Sequence, residues 1–274
     1  MRTKQKWIVG GIMLFAAIFC LSSFMVLRWY LESRQSQKEF SQVAELISAP
    51  EGEESGADSV GVAGAADSEP VILERYREVY EENNDFVGWI TIDGTRIDYP
   101  VVQSVEDPDF YLKHNFDKNY SSYGVPYLQS DCDILTSDNL VIHGHHMNDD
   151  SMFSDLCQYA RADFYQEHKT IRFDTKYSYG LYEIIAVFRT VGDESGFMYH
   201  HFVDAEEAQA FDDYVAACKE LALYETDSTA QYGDRLITLS TCEYTRKNGR
   251  MIVVAKLLED TAVQTEITGA AAQE

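Results

Sequence analysis

Two apolar runs near the C-terminal end do most to constrain the fold. Leu236–Cys242 reads LITLSTC and Met251–Leu258 reads MIVVAKLL. Both are short and rich in β-branched side chains, so both are expected as buried strands. A short polar loop separates them, the connection that antiparallel neighbours need. Cys242 then ends one strand and Arg250, eight residues on, opens the next. That arrangement brings a thiol and a guanidinium to the same end of a sheet.

About a hundred residues upstream, VIHGHHM (Val141–Met147) supplies three histidines within four positions. The chemistry of such a set follows from ionisation. A free thiol titrates near about 8.5 and imidazole near about 6.5, so neighbours must shift them before a thiolate can attack at neutral pH. A nearby imidazole and arginine favour the thiolate, and the guanidinium stays cationic with a fork of donors suited to an oxyanion or a substrate carbonyl. Attack on a peptide carbonyl, followed by protonation of the leaving amine, yields a thioacyl enzyme. Water as acceptor makes a protease and an amine makes a transpeptidase; the residues alone leave that choice open.

TLSTC (Thr238–Cys242), the arginine opening the following strand and the upstream Gly-His together resemble the sortases, with details of class B, over roughly residues 71–258. The resemblance implies Cys242 as nucleophile, His145 as general acid/base and Arg250 as the group that positions substrate and stabilises the oxyanion. His145 is chosen over His143 and His146 because the family places its histidine directly after the glycine ending this strand, here Gly144. Glu243, directly after the cysteine, and Ser240, two before it, also look like class B; with Thr241 they are expected to help hold substrate. Where class B members often carry tyrosine before that glycine, this chain has His143.

A single strand cysteine is ordinarily a small buried hydrophobe, and an isolated arginine is ordinarily a surface group; the shared motif reverses both for Cys242 and Arg250. The HGHH cluster contains good zinc ligands, but no further His or Cys set lies at ligand spacing, so no metal is expected. The resemblance requires no cofactor. His200 and His201 fall in an expected solvated loop.

At the other end, Trp7–Leu27 is 21 residues without a charged side chain, enough to cross about 30 Å of hydrocarbon as a helix. Lys4 and Lys6 precede it, and Arg28, Trp29 and Tyr30 follow as an interfacial set. The run exceeds the apolar core of a cleaved signal peptide, and Phe19 before Cys20 is too large for lipoprotein processing, so an uncleaved anchor over residues 7–30 is expected. Flanking charge is nearly balanced, and the short tail of residues 1–6 favours a cytoplasmic N-terminus.

Residues 39–70 carry eight acidic side chains and no Lys or Arg among many Gly, Ala and Ser. Such a composition buries too little apolar surface to offset chain entropy, so residues 31–70 are expected as an acidic, flexible stalk. Residues 261–274 are expected to be a disordered tail. That leaves residues 71–260 as one catalytic domain.

Within it, a helix is expected over Val71–Glu82, strands over Val87–Ile92 and Ile97–Val102 about a turn at Asp93–Thr95, and strands over Gly124–Leu128 and Leu140–His143. A helical segment follows near Met152–Tyr159, then strands at Ile171–Phe173 and Tyr182–Arg189. Asp204–Leu223 has an acidic start and apolar residues at helical spacing. Short strands at regular spacing favour a closed or nearly closed antiparallel barrel. The resemblance implies the same: a mainly β, sortase-like barrel with an N-terminal helix and a helical insertion before the cysteine strand.

A net charge of −24 excludes nucleic acid as a partner. Beyond the anchor the cysteines are Cys132, Cys157, Cys218 and Cys242; all are expected reduced, with Cys157 and Cys218 in helix cores. A disulfide among Cys132, Cys157 and Cys218 is left open. The expected function is a membrane-anchored cysteine transpeptidase on the outer face of a Gram-positive-type cell. By resemblance it cleaves the sorting signal of surface proteins after Thr, in an NPxTx-like or related motif. It then passes the acyl group to an amine of a peptidoglycan precursor or a pilin. The alternatives are a cysteine endopeptidase that releases surface proteins and a non-enzymatic anchored binding module.

Overall fold

A computed structural model describes residues 2–47 and 70–258, and the chain divides into two units near Gln42 and Val43. Helix α1 (Arg2–Ile47) makes up the first and continues past it; its large apolar side chains, among them Trp7, Phe15, Phe24 and Leu31, are exposed. It is long and apolar enough to cross a membrane. The expected stalk began at Leu31, yet the helix runs on to Ile47. Residues 31–47 contain no Gly or Pro and are mostly good helix formers. Arg28 and Glu32, and Gln35 and Glu39, pair one turn apart and support the same conformation. Residues 48–69 of the expected stalk, the last two residues of the expected domain and the whole expected tail, 261–274, lie outside the described residues.

In the second unit the expected helix over Val71–Glu82 shortens. The Leu73 N–H is taken by the Lys176 carbonyl, which holds the chain extended before a 3-10 turn at Glu74–Tyr76 and helix α2 (Arg77–Glu82). Eight strands follow: β1 (Phe86–Thr91), β2 (Asp98–Val102), β3 (Tyr127–Leu128), β4 (Asn139–His143), β5 (Thr170–Thr175), β6 (Leu181–Val191), β7 (Leu236–Cys242) and β8 (Gly249–Leu257). A short helix α3 (Ala162–Glu167) precedes β5, and helix α4 (Ala208–Leu221) lies between β6 and β7.

The strands close into a barrel in the order β1-β2-β3-β4-β7-β8-β6-β5, with β5 returning to β1. Two joins are parallel, β2 with β3 and β4 with β7; the others are antiparallel. Closure leaves no free sheet edge. The core is built from the β-branched and aromatic positions that marked the strands, with Ile90, Val101, Phe173, Val187, Leu239 and Val253 all fully buried.

Helix α4 packs beside β6 and β7. Phe211 and Cys218 are fully buried, and the Tyr214 hydroxyl reaches Thr238 on β7 at 3.1 Å. The helix starts at Ala208 rather than at Asp204, because Asp204 is held by the chain before β4. Its carboxylate accepts from the Asp138 N–H, while the Asp138 carboxylate accepts from the Ala205 N–H. The expected strand at Gly124 narrows to Tyr127–Leu128. The helical segment after β4 is a 3-10 stretch, Phe153–Ala160.

Candidate active site

β7 and β8 are antiparallel, and their register sets Cys242 directly opposite Arg250. β4 joins β7 on the other side in parallel, with His143 opposite Ser240, and the Gly144 N–H donates to the Ser240 carbonyl at 3.0 Å. Parallel strands end at the same edge, so continuing this register brings His145 level with Cys242 as both leave the barrel. Three candidate residues from two distant segments thus share one rim.

Gly144 is required by packing. A Cβ there would lie 2.5 Å from the ring of Phe153, which is fully buried and donates its N–H to the His145 carbonyl at 2.8 Å. Phe153 therefore fixes the backbone from which the His145 ring projects.

The His145 ring is held at 2.8 Å from the Leu112 carbonyl through Nε2. A carbonyl only accepts, so Nε2 carries the proton and Nδ1 is left to exchange one. Burial holds the imidazole pKa below its usual value, partly opposed by the Leu112 hydrogen bond and reinforced by the charge of Lys113. His145 is accordingly a neutral imidazole at pH 7. Gly124 supports this contact from behind. It has φ +61°, and a Cβ there would meet the Tyr111 carbonyl at 2.4 Å.

His146 has a different environment. Its Nδ1 lies 3.0 Å from the Cys242 carbonyl and 3.3 Å from Cys157 Sγ, and the Tyr244 ring covers it with centroids 5.0 Å apart. The Tyr244 hydroxyl closes the arrangement by donating to the His146 carbonyl at 3.0 Å. His146 is thus tied to the backbone of Cys242. His143, the last residue of β4, instead bonds Gln129 at 3.3 Å and packs against Tyr127.

Arg250 donates to its neighbour's carbonyl, Gly249 O, at 3.0 Å, and among the described residues it forms no salt bridge. Two phenols lie within electrostatic reach of both Arg250 and Cys242. Tyr127 is pushed up to about 12, first by burial, and Tyr199 is also raised, first by burial; Arg250 opposes both shifts.

The three residues expected to contact substrate each have internal partners. Ser240 is 2% exposed, with its hydroxyl 2.6 Å from that of Tyr199. Thr241 is equally buried and donates to the Gly144 carbonyl at 2.8 Å, tying the end of β7 to the glycine before His145. Glu243 is 6% exposed and turns into the β7–β8 connection, accepting from the Thr245 hydroxyl at 2.7 Å and pairing with Arg189 at 3.9 Å. All three brace the rim because their polar atoms, being buried, take the nearest internal partners.

Sequence reasoning did not single out Leu112, which acts through a backbone carbonyl and so leaves no side-chain signal. Tyr127 and Tyr199 lie on segments far from the motif. Tyr244 sat in the open beside Glu243. Cys157 was expected as a helix-core residue, but it is half-buried in the 3-10 stretch beside His146. Among the described residues every cysteine is a free thiol.

The comparisons with known proteins agree with this architecture. A family model described as the Sortase domain matches residues 90–258. Over 190 residues the chain is 34% identical to sortase B of Listeria monocytogenes, covering 68% of this chain and 75% of the relative. The crystal structure of sortase B from B. anthracis in complex with AAEK1 superposes with a TM-score of 0.69 at 25% identity, covering 84% of this chain and 99% of that one. A Staphylococcus aureus sortase B–substrate complex superposes with a TM-score of 0.70 at 25% identity, covering 83% of this chain and 98% of that one.

Proposed function

This chain belongs to the sortase family, in its class B, whose members are cysteine transpeptidases, and from that premise we propose that it cleaves sorting signals through a thioacyl intermediate on Cys242. The observation that carries this reading is the shared rim. Cys242 stands opposite Arg250 on antiparallel strands, and His145 leaves the adjacent parallel strand at the same level.

In the proposed reaction Nδ1 of His145 takes the thiol proton as Cys242 Sγ attacks the carbonyl carbon of the scissile peptide. The negative charge that develops on the carbonyl oxygen falls to the Arg250 guanidinium. Collapse of the tetrahedral species breaks the C–N bond, and the His145 imidazolium gives its proton to the departing amine. A second amine then attacks the thioester, releasing the product and restoring the thiol. Ser240, Thr241 and Glu243 serve this reaction by fixing the strand end that carries Cys242.

The substrate we propose is a surface protein whose sorting signal is cut after Thr within an NPxTx-like motif, and the acceptor is an amine of a peptidoglycan precursor or a pilin. The S. aureus sortase B that superposes on this chain is a complex with substrate, which supports a substrate site on this fold. Helix α1 is proposed as a single-pass anchor that leaves the catalytic domain outside the cell; its length and apolarity support that role.

The test is the intact mass of the full-length chain in detergent after mixing with NPxTx and LPxTG peptides, with Cys242→Ala alongside. An acyl adduct on the wild type alone, discharged by added amine to an amide product, is expected. No peptide-dependent mass increase on the wild type with either peptide would sink the proposal.

A further inference from the structure

A second thiol stands against the backbone carbonyl of the proposed nucleophile and has no part in the reaction above. Cys157 Sγ lies 3.7 Å from the Cys242 carbonyl oxygen and 3.3 Å from His146 Nδ1, and that same Nδ1 lies 3.0 Å from the Cys242 carbonyl. The carbonyl only accepts, so Nδ1–H is shared between it and the sulfur of Cys157. One imidazole therefore holds both cysteines in place, and the Tyr244 ring lies over that imidazole.

The surroundings of Cys157 come from three parts of the barrel. It sits on the 3-10 stretch that follows the histidine segment, against the end of β7 and the β7–β8 connection. The carboxylate of Glu243 and the guanidinium of Arg189 are the charged groups that act on it. Burial pushes its thiol up to about 11; the charges of Glu243 and Cys242 add to that, and Arg189 opposes it. Cys157 is thus protonated at neutral pH and a poor first target for an oxidant. It is half-buried, while Cys132 and Cys218 are fully enclosed elsewhere.

We propose that Cys157 is a resolving cysteine for Cys242, so that a hydroperoxide inactivates the enzyme reversibly by closing a Cys157–Cys242 disulfide. The thiolate of Cys242 attacks the peroxide oxygen, forming Cys242–SOH and releasing hydroxide, or an alkoxide from an organic hydroperoxide. The sulfur of Cys157 then attacks the sulfenic sulfur. The S–S bond forms, the S–O bond breaks, and the sulfenic OH leaves with the Cys157 proton as water. Two sulfurs are oxidised by two electrons in all, and the peroxide is reduced. Exchange with an external thiol reverses the bond. Without Cys157 the sulfenic acid is left to proceed to sulfinic acid, from which thiols do not rescue it.

This inference rests on Cys242 being the reactive thiol, and the test separates the two. Full-length protein in detergent is treated with hydrogen peroxide, then assayed before and after dithiothreitol and mapped by non-reducing peptide mass spectrometry, with Cys157→Ala in parallel. Cys157 is outside the proposed machinery, so the variant should cleave peptide at the wild-type rate. Expected for the wild type are a linked peptide joining Cys157 to Cys242 and recovery of nearly all activity on reduction. Expected for Cys157→Ala is inactivation at a similar rate, with sulfinic acid on Cys242 and at least several-fold poorer recovery. Oxidised Cys242 with no linked peptide, and equal recovery in the two proteins, would overturn the resolving role while leaving the nucleophile intact. Cys242 that forms neither a peptide adduct nor an oxidation product would overturn both.

Discussion

Cys242 and Arg250 form a directly opposed pair on β7 and β8, at the last residue of one strand and the second of the next. The relationship is fixed by a continuous antiparallel register running from Leu236 opposite Lys256 to this pair. A slip of one residue would turn every side chain on the strand to the other face. Ser240, whose hydroxyl is shared with Tyr199, and Thr241, bound to the Gly144 carbonyl, anchor the two faces of β7 against such a slip.

The pairing sets Arg250 beside Cys242, as a donor for the carbonyl that Cys242 would attack. Arg250→Ala should lower kcat/KM for a sorting peptide by about 10²–10³, the usual cost of one oxyanion donor. Arg250→Lys should recover little of this, because an ammonium lacks the planar fork. With no salt bridge to lose, both variants should melt close to the wild type. Steady-state peptide cleavage decides the matter, and an alanine variant within a few-fold of wild-type activity would exclude the role.

Three neighbouring histidines offer a sharper test. His145 has its Nε2 on the Leu112 carbonyl and its Nδ1 available, whereas His146 has its Nδ1 on the Cys242 carbonyl. Loss of a general acid–base group typically costs about 10²–10⁴ in rate. His145→Ala should therefore lose at least about 10² in kcat by that measure. His146→Ala should lose much less and show its effect mainly as reduced thermal stability. Kinetics of the two purified variants on one peptide would settle it, and the reverse ranking would move the acid–base role to His146.

Much of this rim was legible in the sequence because it is built from local signals. The β-branched runs marked β7 and β8, and the motif marked Cys242 with Arg250 and His145. What could not be read was the join between β4 and β7. Parallel pairing needs a long crossover, and here the whole stretch from the 3-10 segment to α4 intervenes, so no short-range pattern reports it. The internal partners of Ser240, Thr241 and Glu243 were hidden for a related reason. A polar side chain beside a reactive cysteine looks the same in sequence whether it faces the groove or a buried partner such as Tyr199, Gly144 or Thr245. Helix α1 continues past Tyr30 because 31–47 holds mostly good helix formers and neither Gly nor Pro; the acidic, Gly-rich composition that suggested a stalk lies beyond it.

Gly144 links packing to the rim. In Gly144→Ala the new methyl would overlap the Phe153 ring, approaching to 2.5 Å unless something shifts. Overpacking of this kind costs about 1–3 kcal/mol, and the shift would displace His145. The expected result is a lower denaturant midpoint at an unchanged m-value, together with a fall in kcat larger than the loss of folded protein explains. Adding Phe153→Leu should restore part of the stability, since the two positions are in contact and couple. Strict additivity in the double mutant would contradict the proposed clash.

His143 should make stability depend on pH. Burial, and after it the nearby charges of His200 and Arg250, lower its pKa to about 4, with Asp131 opposing. In the unfolded chain the imidazole titrates near about 6.5. Between these values the unfolded state binds more protons than the folded one, so stability rises with pH across that window. The contribution is complete above the unfolded pKa and is lost as pH falls toward about 4. A difference of that size corresponds to about 3 kcal/mol. Other groups titrate in the same range, and a variant isolates this one. His143→Tyr keeps a polar ring at this place, and its phenol keeps one charge state throughout the window. Urea unfolding of both proteins at several pH values from 7 to the lower end of the window should show the wild type losing stability faster. Parallel curves would mean that His143 is protonated as readily in the folded barrel as in the open chain.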